Sequence, residues 1–433
     1  MTTLRNLLST MFAAAETPAA TKMTMRAIPH GTPVSLLGYG AMRMPTTDGK
    51  HANGWVKEGY SAAGIDQEEL NRQIRYLLDS GVNFFDTSPA YCRGESEKRL
   101  GDALKASGYP REAYHLSSKL SNFAPQQKST EASRQLFEKT LEYLQTDYLD
   151  VYLLHSIGNG GWKDFEDRFI RNGMIDWVFE QKKLGRIRNV GFSYHGDPKC
   201  VEWCLKQHDA GRYRWDVALI QMNYVDWHHG TENNPRNLDA EYLYTELDRR
   251  GIKMMLMEPL MGGRLAHPAD SVVKEFVALD PEATPAKWAF RFCGSHPGVM
   301  TVLSGMTYTE HMKENVATFS PLKPLSDAER IALERAAEAF LGVGMIPCNM
   351  CNYCMPCPYG LDIPGLFSFM NEVRSRRIQD KKQIRRLLDR MVPDVRRRAD
   401  RCIECGRCQP HCPQSIDIPK QMNAIAAFVE EYL

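Results

Sequence analysis

Eight apolar runs alternate with amphipathic stretches between residues 22 and 320, and this alternation limits the fold more than any other feature of the sequence. Each run is almost continuously apolar, which is typical of parallel strands buried on both faces. The runs occupy residues 34–42, 82–88, 114–120, 149–155, 188–194, 218–224, 253–260 and 299–306. Stretches with helical periodicity lie between them, which predicts the α/β class and a (β/α)8 TIM barrel.

A doubly wound open sheet is the alternative that the same alternation allows. That fold is disfavoured because no G-x-G-x-x-G turn follows the first apolar run. The stretch "KMTMRAIPHGTPVSLLG" (residues 22–38) reads as two short strands about a turn. We expect it to form a hairpin that closes the bottom of the barrel.

The pattern changes near residue 325, where a helical stretch is followed by a cysteine cluster, a basic helical stretch, a second cluster and a final helix. At the other end, we predict a tail or short helix over residues 1–21, which we do not interpret as a signal peptide. A barrel over residues 22–325 and a small, mostly α-helical domain over residues 326–433 would follow it.

The charge balance and the cysteines limit the partners. The formal net charge is +1, which predicts neither a nucleic-acid nor a membrane partner. No apolar run reaches the roughly 18 residues that a membrane span needs, so we expect a cytoplasmic protein. Eight of the 12 cysteines fall into two clusters. A large cytosolic chain does not need disulfides, so clustered cysteines indicate a metal site.

Polar residues stand at the carboxyl ends of three predicted strands, where barrel enzymes carry their chemistry. They are Asp86, Lys119 and His155, and Tyr91 follows Asp86 by five residues. Each alone has an ordinary structural explanation, but together they form a coherent set. We expect Lys119 to lower the pKa of the Tyr91 phenol and Asp86 to hold Lys119 in place. With His155 polarising a carbonyl oxygen, such a set protonates an alkoxide as a hydride arrives.

The stretches "NFFDTSPAYCRGESEKRLG", "SSKL", "DYLDVYLLH", "VGFS", "IQMNY" and "EHMKEN" occur in this order. Over about residues 22–320 the chain thereby resembles the aldo-keto reductase family. The resemblance implies a TIM-barrel reductase that uses NADPH or NADH without a Rossmann domain and acts on a small-molecule carbonyl substrate. It also implies that Asp86, Tyr91, Lys119 and His155 are the catalytic tetrad, with Tyr91 as the general acid.

The same resemblance assigns cofactor contacts. Ser193 and Gln221 would contact the nicotinamide amide, and Glu314 and Asn315 the adenosine end. Three departures from the family fall at the cofactor. Met257, followed by Glu258, stands where many members stack an aromatic ring on the nicotinamide, and Tyr194 stands where many have Asn. Gly305 and His311 stand where NADPH-preferring members place Lys and Arg, so the choice of nucleotide stays open.

The two cysteine clusters read "CNMCNYCMPCP" (residues 348–358) and "CIECGRCQPHCP" (residues 402–413). Structural zinc sites usually separate two C-x2-C pairs by a longer loop. Successive x2 spacings that close with Cys-Pro instead resemble the bacterial ferredoxin run, which predicts two [4Fe-4S] clusters. In two-cluster ferredoxins the fourth Cys of each run ligates the other cluster. Applied to this chain, the resemblance implies two sets of cluster ligands. They are Cys348, Cys351, Cys354 and Cys412 for one cluster, and Cys402, Cys405, Cys408 and Cys357 for the other.

The spacer between the clusters is helical and basic, with 12 Lys/Arg against five Asp/Glu over residues 371–401. A helical spacer of this length resembles the one in the α-helical ferredoxin domain. Two interpretations stay open: a solvated helix that offsets the negative charge of the clusters, or a docking surface for an acidic electron carrier such as a ferredoxin or flavodoxin.

The whole chain is thus predicted to be an NAD(P)H-linked reductase whose clusters serve electron transfer. The alternatives are a redox sensor or nucleotide-binding regulatory protein with little turnover, and reduction of a bound substrate by the clusters without hydride transfer.

Overall fold

The computed structural model describes residues 22–49 and 64–432, so the predicted tail at residues 1–21 lies outside the described residues. Ten strands are numbered in chain order. They are β1 (Met25–Arg26), β2 (Val34–Ser35), β3 (Leu37–Gly40), β4 (Phe84–Asp86), β5 (His115–Leu120), β6 (Leu149–Ile157), β7 (Ile187–Tyr194), β8 (Val217–Gln221), β9 (Lys253–Met257) and β10 (Val299–Ser304).

Strands β3 to β10 form a closed barrel in chain order, with β10 returning to pair with β3. Every neighbouring pair is parallel. All eight predicted strands are present, and the predicted (β/α)8 barrel is confirmed. The short strands β1 and β2 pair antiparallel, as expected for the hairpin before the barrel.

Helices fill the connections and form the C-terminal region. The α-helices are α1 (Gln67–Asp79), α2 (Ser96–Ala106), α3 (Thr130–Leu144), α4 (Gly161–Phe165), α5 (Met174–Lys183), α6 (Pro198–Asp209), α7 (Asp226–Asn233), α8 (Ala240–Asp248), α9 (Asp270–Val277), α10 (Pro285–Gly294), α11 (Thr309–Thr318), α12 (Asp327–Gly342), α13 (Ile363–Ser375), α14 (Lys381–Met391) and α15 (Ile418–Tyr432). Single turns of other helix types span Tyr91–Gly94, Arg111–Ala113, Pro125–Gln127, Glu166–Ile170, Met261–Gly263, Val395–Arg397, Ala399–Arg401 and Gln409–His411.

Strand alternation divides the barrel into an inner and an outer core, because successive side chains of a strand point to opposite faces. On β6, Val151 and Leu153 belong to the inner cluster, whereas Tyr152 and Leu154 pack outward against the helices. The inner cluster is small and apolar, and strands β4, β8, β9 and β10 add Phe84, Val217, Leu219, Met255, Met300 and Leu303 to it. The floor of the barrel is therefore filled, and polar side chains of inward parity remain at the carboxyl ends of the strands.

Helix α12 belongs to the barrel by its packing. Its buried side chains lie in the outer core of the barrel, among them Leu333, Ala337 and Phe340. Ser326 and Glu329 form a capping box at its start, and Arg291 on α10 binds the Glu329 carboxylate at 2.8 and 2.9 Å. The division of the chain at residue 325 stays a prediction, but the packing groups α12 with the barrel rather than with the residues that follow.

The C-terminal domain has a hydrophobic core of its own. Side chains from α13, α14 and α15 build it, including Phe367, Phe369, Leu388 and Met422. The domain is mostly helical, as predicted. Over residues 22–49 and 64–432, none of the helices has the length and apolar character that a membrane crossing requires.

Candidate functional site

The predicted catalytic residues come from neighbouring strands and share the inward face. Phe84 and Asp86 alternate inward on β4, and Val151, Leu153 and His155 do so on β6. Parallel pairing of β4, β5 and β6 brings the carboxyl ends of the three strands together. The structure thus gathers Asp86, Lys119 and His155 at one mouth of the barrel.

Lys119 is held by an ion pair inside the barrel. Its Nζ donates to Asp86 Oδ2 at 2.6 Å and to the Thr87 carbonyl at 2.8 Å. Ser117 Oγ donates to the other Asp86 oxygen at 2.8 Å. Burial raises the pKa of Asp86 and lowers the pKa of Lys119, while the opposite charge of each partner acts against that effect. The lysine is therefore fixed in position by the predicted partner.

His155 is buried and neutral. Burial, with the positive charge of Lys119 nearby, holds the pKa of His155 well below its usual range. Its Nδ1 hydrogen-bonds Ser121 Oγ at 2.6 Å and lies 3.3 Å from Ser88 Oγ. Because Nδ1 is engaged by hydroxyls, Nε2 is the ring nitrogen available to a substrate oxygen.

Tyr91 lies beside the other three residues, on the single helical turn after β4. The Tyr91 ring stands edge-on to His155, with 5.9 Å between the ring centroids. Lys119 Nζ lies 4.7 Å from the centroid of the Tyr91 ring. The expected lowering of its pKa is not what the structure gives. Burial, followed by the negative charges of Asp86 and Glu258, raises the pKa of Tyr91 well above its usual value. The phenol therefore keeps its proton at neutral pH.

Three residues expected at the nicotinamide lie at the carboxyl-terminal parts of β7, β8 and β9 and also face inward. They are Ser193, Gln221 and Met257. Ser193 Oγ accepts a hydrogen bond from the Ser156 amide at 2.7 Å. Gln221 Nε2 donates to Asp226 Oδ2 at 2.7 Å, and its Oε1 accepts from Gln414 Nε2 at 3.3 Å. Met257 packs on the inner core of the barrel. Both ends of the Gln221 amide are therefore engaged, one of them by the C-terminal domain.

The remaining predicted cofactor residues lie after β10. The side chain of Arg43 covers Gly305, where an added Cβ would lie 3.2 Å from Arg43 Cδ. Asn315 is buried on α11 and donates to Ser304 Oγ at 3.1 Å. Glu314 accepts a hydrogen bond from the Thr284 hydroxyl at the start of α10. Glu314 and Asn315 thus make contacts within the barrel scaffold.

Arg168 is a buried residue that sequence reasoning missed. Its Nη2 donates to the His155 carbonyl at 2.8 Å and its Nε donates to Asn122 Oδ1 at 3.1 Å. Its guanidinium also lies 4.3 Å from the Phe123 ring centroid. Arg168 therefore braces the end of β6, and nothing in the local sequence separates it from a surface arginine.

The barrel mouth also contains a second acidic group, Glu258. It has a left-handed backbone (φ 57°), and its Oε2 is buried without a hydrogen-bond partner among the described residues. Burial raises the pKa of Glu258, and the charges of Arg43 and Arg264 oppose that rise. Tyr353, from the first cysteine run, interacts electrostatically with both Tyr91 and Glu258. The first cysteine run therefore reaches the mouth of the barrel.

The thiols of the first run line a cavity together with one thiol of the second run. Its walls include Cys348, Cys351, Cys354 and Cys412. Asn349 Nδ2, Asn352 Oδ1 and Gln414 Oε1 belong to residues that line the same cavity, and these atoms are buried without partners in the described part of the chain. Burial raises the pKa of Cys348 to about 11, so its thiolate form needs a positive centre beside it.

The other four thiols form a second group. Cys408 interacts electrostatically with Cys357, Cys402 and Cys405, so this group also takes one member from the opposite run. Cys405 is exposed, whereas Cys412 of the first group is buried. No three His, Cys, Asp or Glu side chains among the described residues converge closely enough to hold one metal ion. The four thiols of the first group line one cavity, as the ligands of a polynuclear cluster would.

Comparisons with known proteins agree with both parts of the chain. The model of the Aldo/keto reductase family matches residues 37–338, and the model of the 4Fe-4S dicluster domain matches residues 347–418. L-galactose dehydrogenase of Arabidopsis thaliana is 29% identical over 321 residues, covering 70% of this chain and 91% of its own length. Glyoxal reductase of Bacillus subtilis is 28% identical over 237 residues, covering 54% and 72%.

Solved structures show the same barrel. The holo form of an aldo-keto reductase from Bacillus halodurans superposes with a TM-score of 0.56 at 23% identity, covering 73% of this chain and 97% of that one. An aldo-keto reductase from Klebsiella pneumoniae in complex with NADPH gives a TM-score of 0.53 at 21% identity, with 72% and 95% covered. Barrel, strand-end residues and family model agree: the chain is an oxidoreductase of the aldo/keto reductase family, with a 4Fe-4S dicluster domain following its barrel.

Proposed function

We propose that this protein reduces a carbonyl substrate at the barrel mouth, with Tyr91 as the general acid and two [4Fe-4S] clusters in the C-terminal domain. The observation that carries the proposal is the buried pair of Lys119 and Asp86 beside a protonated tyrosine and a neutral histidine. A phenol with a raised pKa is an acid and not a base at neutral pH. This fits donation of a proton to a developing alkoxide.

The proton chemistry uses this chain's own groups. The substrate oxygen accepts hydrogen bonds from the Tyr91 phenol and from His155 Nε2, and both polarise the carbonyl. As the carbon gains two electrons and a proton, the oxygen takes the phenolic proton. A hydride donor would bring the carbon-bound proton together with both electrons, whereas with a one-electron carrier that proton would come from solvent water. The phenolate that remains lies near the Lys119 ammonium, which Asp86 holds in place. An isolated phenolate in the same buried position would be costly.

The eight clustered cysteines fit two iron–sulfur clusters. Cys348, Cys351, Cys354 and Cys412 would hold the first cluster, and Cys402, Cys405, Cys408 and Cys357 would hold the second. Asn349 Nδ2 is a buried donor without a partner among the described residues, and it could hydrogen-bond a cluster sulfur in the cavity that it lines. When bound, such clusters supply one-electron transfer.

In the arrangement described, Gln221 is not free to bind a nicotinamide amide. Gln221, which the family resemblance assigns to the nicotinamide amide, has its oxygen bonded to Gln414 of the C-terminal domain. Arg43 covers Gly305 at the predicted adenosine side. NADPH or NADH would act as the reductant in an arrangement in which these contacts open, and donation of the phenolic proton to the substrate oxygen is the same with either electron source.

Electrons would enter from an acidic one-electron carrier such as a ferredoxin or flavodoxin. The second cysteine group is the outer one, because Cys405 is exposed and its neighbours Ile403 and Arg407 are exposed as well. Helix α14 adds exposed basic side chains at Lys381, Lys382, Arg385, Arg386 and Arg390. Opposite charge steers such encounters and makes them sensitive to salt.

The substrate class is a small aldehyde, ketone or sugar. This follows the names of the relatives, which act on glyoxal and L-galactose, and it is consistent with a polar barrel mouth. The test uses anaerobically purified holoprotein with glyoxal and a series of aldoses. Two electron sources are compared for each substrate: NADPH or NADH, and a chemically reduced ferredoxin.

The variant Tyr91→Phe is expected to lower turnover by about 10²–10⁴-fold with whichever source supports it, because the general acid is lost. Tyr242→Phe, at an exposed tyrosine on α8, is the control and keeps wild-type turnover. Undiminished turnover in Tyr91→Phe would show that another group is the acid. Absence of turnover on all substrates would favour the redox-sensor alternative.

A further inference from the structure

Gln414 joins the first cysteine cavity to the barrel. It is buried, and it lines the cavity together with the four thiols. Its Nε2 donates to Gln221 Oε1 at 3.3 Å, and the neighbouring Pro413 carbonyl accepts from Asn234 Nδ2 at 2.8 Å. The strand-end glutamine of β8 and the proposed cluster site are therefore separated by a single side chain.

Asn349, which also lines the cavity, makes a second junction with the barrel. Its carbonyl accepts from Arg43 Nη2 at 2.9 Å, and its Oδ1 accepts from Arg264 Nη2 at 3.3 Å. The backbone of Asn349 also lies directly against Gly262 in the loop after β9. A Cβ at Gly262 would come within 2.5 Å of the Asn349 carbonyl oxygen, so only glycine allows this approach.

Tyr353 stands between these two junctions in sequence, in the first cysteine run, with Cys351 and Cys354 on either side of it along the chain. It interacts electrostatically with Tyr91, Glu258 and Arg43 of the barrel. Arg264, another barrel residue, interacts with Cys348. The hydrogen bonds of Gln414 and Asn349, the approach of Gly262 to Asn349 and these electrostatic interactions all join the C-terminal domain to the barrel.

We propose that the C-terminal domain is a cap seated in the nicotinamide half of the barrel mouth, so that a nucleotide and the seated domain exclude each other. Seated, the cap closes the pocket above Tyr91 and contributes Tyr353 to its wall. Raised, it frees Gln221 for a nicotinamide amide. The proposal deepens the proposed function by naming the residue set that decides which electron source reaches the pocket.

The proposal has a quantitative consequence. A ligand that binds only the raised state has its apparent Kd increased by the inverse of the fraction of molecules in that state. A change that unseats the cap should therefore tighten nucleotide binding without altering any residue that touches the nucleotide. Gly262 is a suitable position for such a change, because the three atoms nearest to a Cβ added there all belong to the Asn349 backbone.

The experiment measures the Kd of NADPH, and separately of NADH, for anaerobic holoprotein by titration calorimetry. Gly262→Ala is expected to lower the Kd at least tenfold. Gly263→Ala is the matched control, because Gly263 also has a left-handed backbone (φ 100°) but has no atom within 4 Å of the position of an added Cβ. It likewise places an alanine at positive φ, but without the clash, and should leave the Kd unchanged. Iron content is measured in all three proteins and must be equal.

A second measurement needs no substitution. In the wild-type holoprotein, saturating NADPH should raise amide hydrogen exchange in residues 348–354, because the cap leaves Asn349. Nucleotide binding without this rise would overturn the proposal, and so would a Gly262→Ala protein that binds no better than Gly263→Ala. Neither readout uses turnover, so loss of the proposed carbonyl activity would leave this test intact.

Discussion

Lys119 and Asp86 form an ion pair that is buried inside the barrel, with 2.6 Å between Nζ and Oδ2. Neither side chain reaches solvent to a useful extent, at 0% and 3% exposure. Each charge is therefore compensated almost entirely by the other and by the hydrogen bonds from Ser117 and to Thr87. Removing one partner should be far more costly than removing a partner of an exposed pair.

Lys119→Met is expected to destabilise the folded protein by about 3–5 kcal/mol, because it leaves the Asp86 carboxylate buried and unpaired. Urea unfolding of the full chain measures this loss. Lys98→Met is the control: Lys98 pairs with Asp102 on the surface of α2, and its loss should cost less than about 1 kcal/mol. Equal losses in the two variants would contradict a charged, buried pair at the mouth.

The grouping of the thiols predicts cross-dependence of the two clusters. Cys412→Ser should remove the cluster of the first run, although Cys412 belongs to the second run, and Cys357→Ser should remove the cluster of the second. Iron analysis and electron paramagnetic resonance of the reduced protein measure both. Cys200→Ala, in the barrel, should keep the full iron content. Loss of the second cluster alone in Cys412→Ser would show that each run ligates its own cluster.

Glu97 predicts a pH dependence of stability near neutrality. Burial raises the pKa of Glu97 to about 7, although Ser118 and Thr140 hydroxyls donate to its carboxylate. The folded state therefore binds this proton more tightly than the unfolded state, and stability falls as pH rises from about 4.5 to 7. The loss is on the order of 3 kcal/mol.

Urea unfolding between pH 5 and pH 8 measures this loss. The free energy of unfolding of the wild type should fall with pH, and Glu97→Gln should lack the part of that fall that comes from Glu97. Glu95→Gln, at a neighbouring exposed residue paired with Arg99, should keep the wild-type slope. A wild-type slope that persists in Glu97→Gln would assign the titration to another group.

Helices α2 and α3 meet at Gly101, where an added Cβ would lie 2.2 Å from the Tyr143 carbonyl oxygen. Gly101→Ala is therefore expected to destabilise the protein by about 1–3 kcal/mol, because one helix must move off the other. Gly342→Ala, where an added Cβ meets no atom within 4 Å, should be neutral or slightly stabilising. Thermal unfolding of the two variants distinguishes the close approach from the general effect of glycine replacement.

Much of the barrel could be read from the sequence, because buried strands and the amphipathic helices between them are local patterns. The positions of Asp86, Lys119 and His155 at strand ends are visible in the letters, whereas the inward parity of Val151, Leu153 and His155 was seen in the structure. The cysteine spacing likewise identified the metal-binding domain. The roles of individual residues in catalysis and ligation stay predictions.

What the sequence lacked was any signal for desolvation. Lys119 was expected to lower the pKa of Tyr91, but the enclosure of the phenol dominates and raises it. The same holds for Arg168, whose burial against His155 depends on how the loop after β6 folds back over the barrel. Burial is a property of the assembled molecule and has no fixed sequence period.

The sequence by itself determined the order of the eight strands, the positions of Asp86, Lys119 and His155 at strand ends, and the two cysteine runs, since each follows from spacing along the chain. Only the tertiary structure decided that the cysteine domain meets the barrel mouth. Its contact of Gln414 with Gln221 joins residues 193 positions apart. A single hydrogen bond between two glutamines leaves no periodic trace in a sequence, so it emerges only when both domains have folded and packed together.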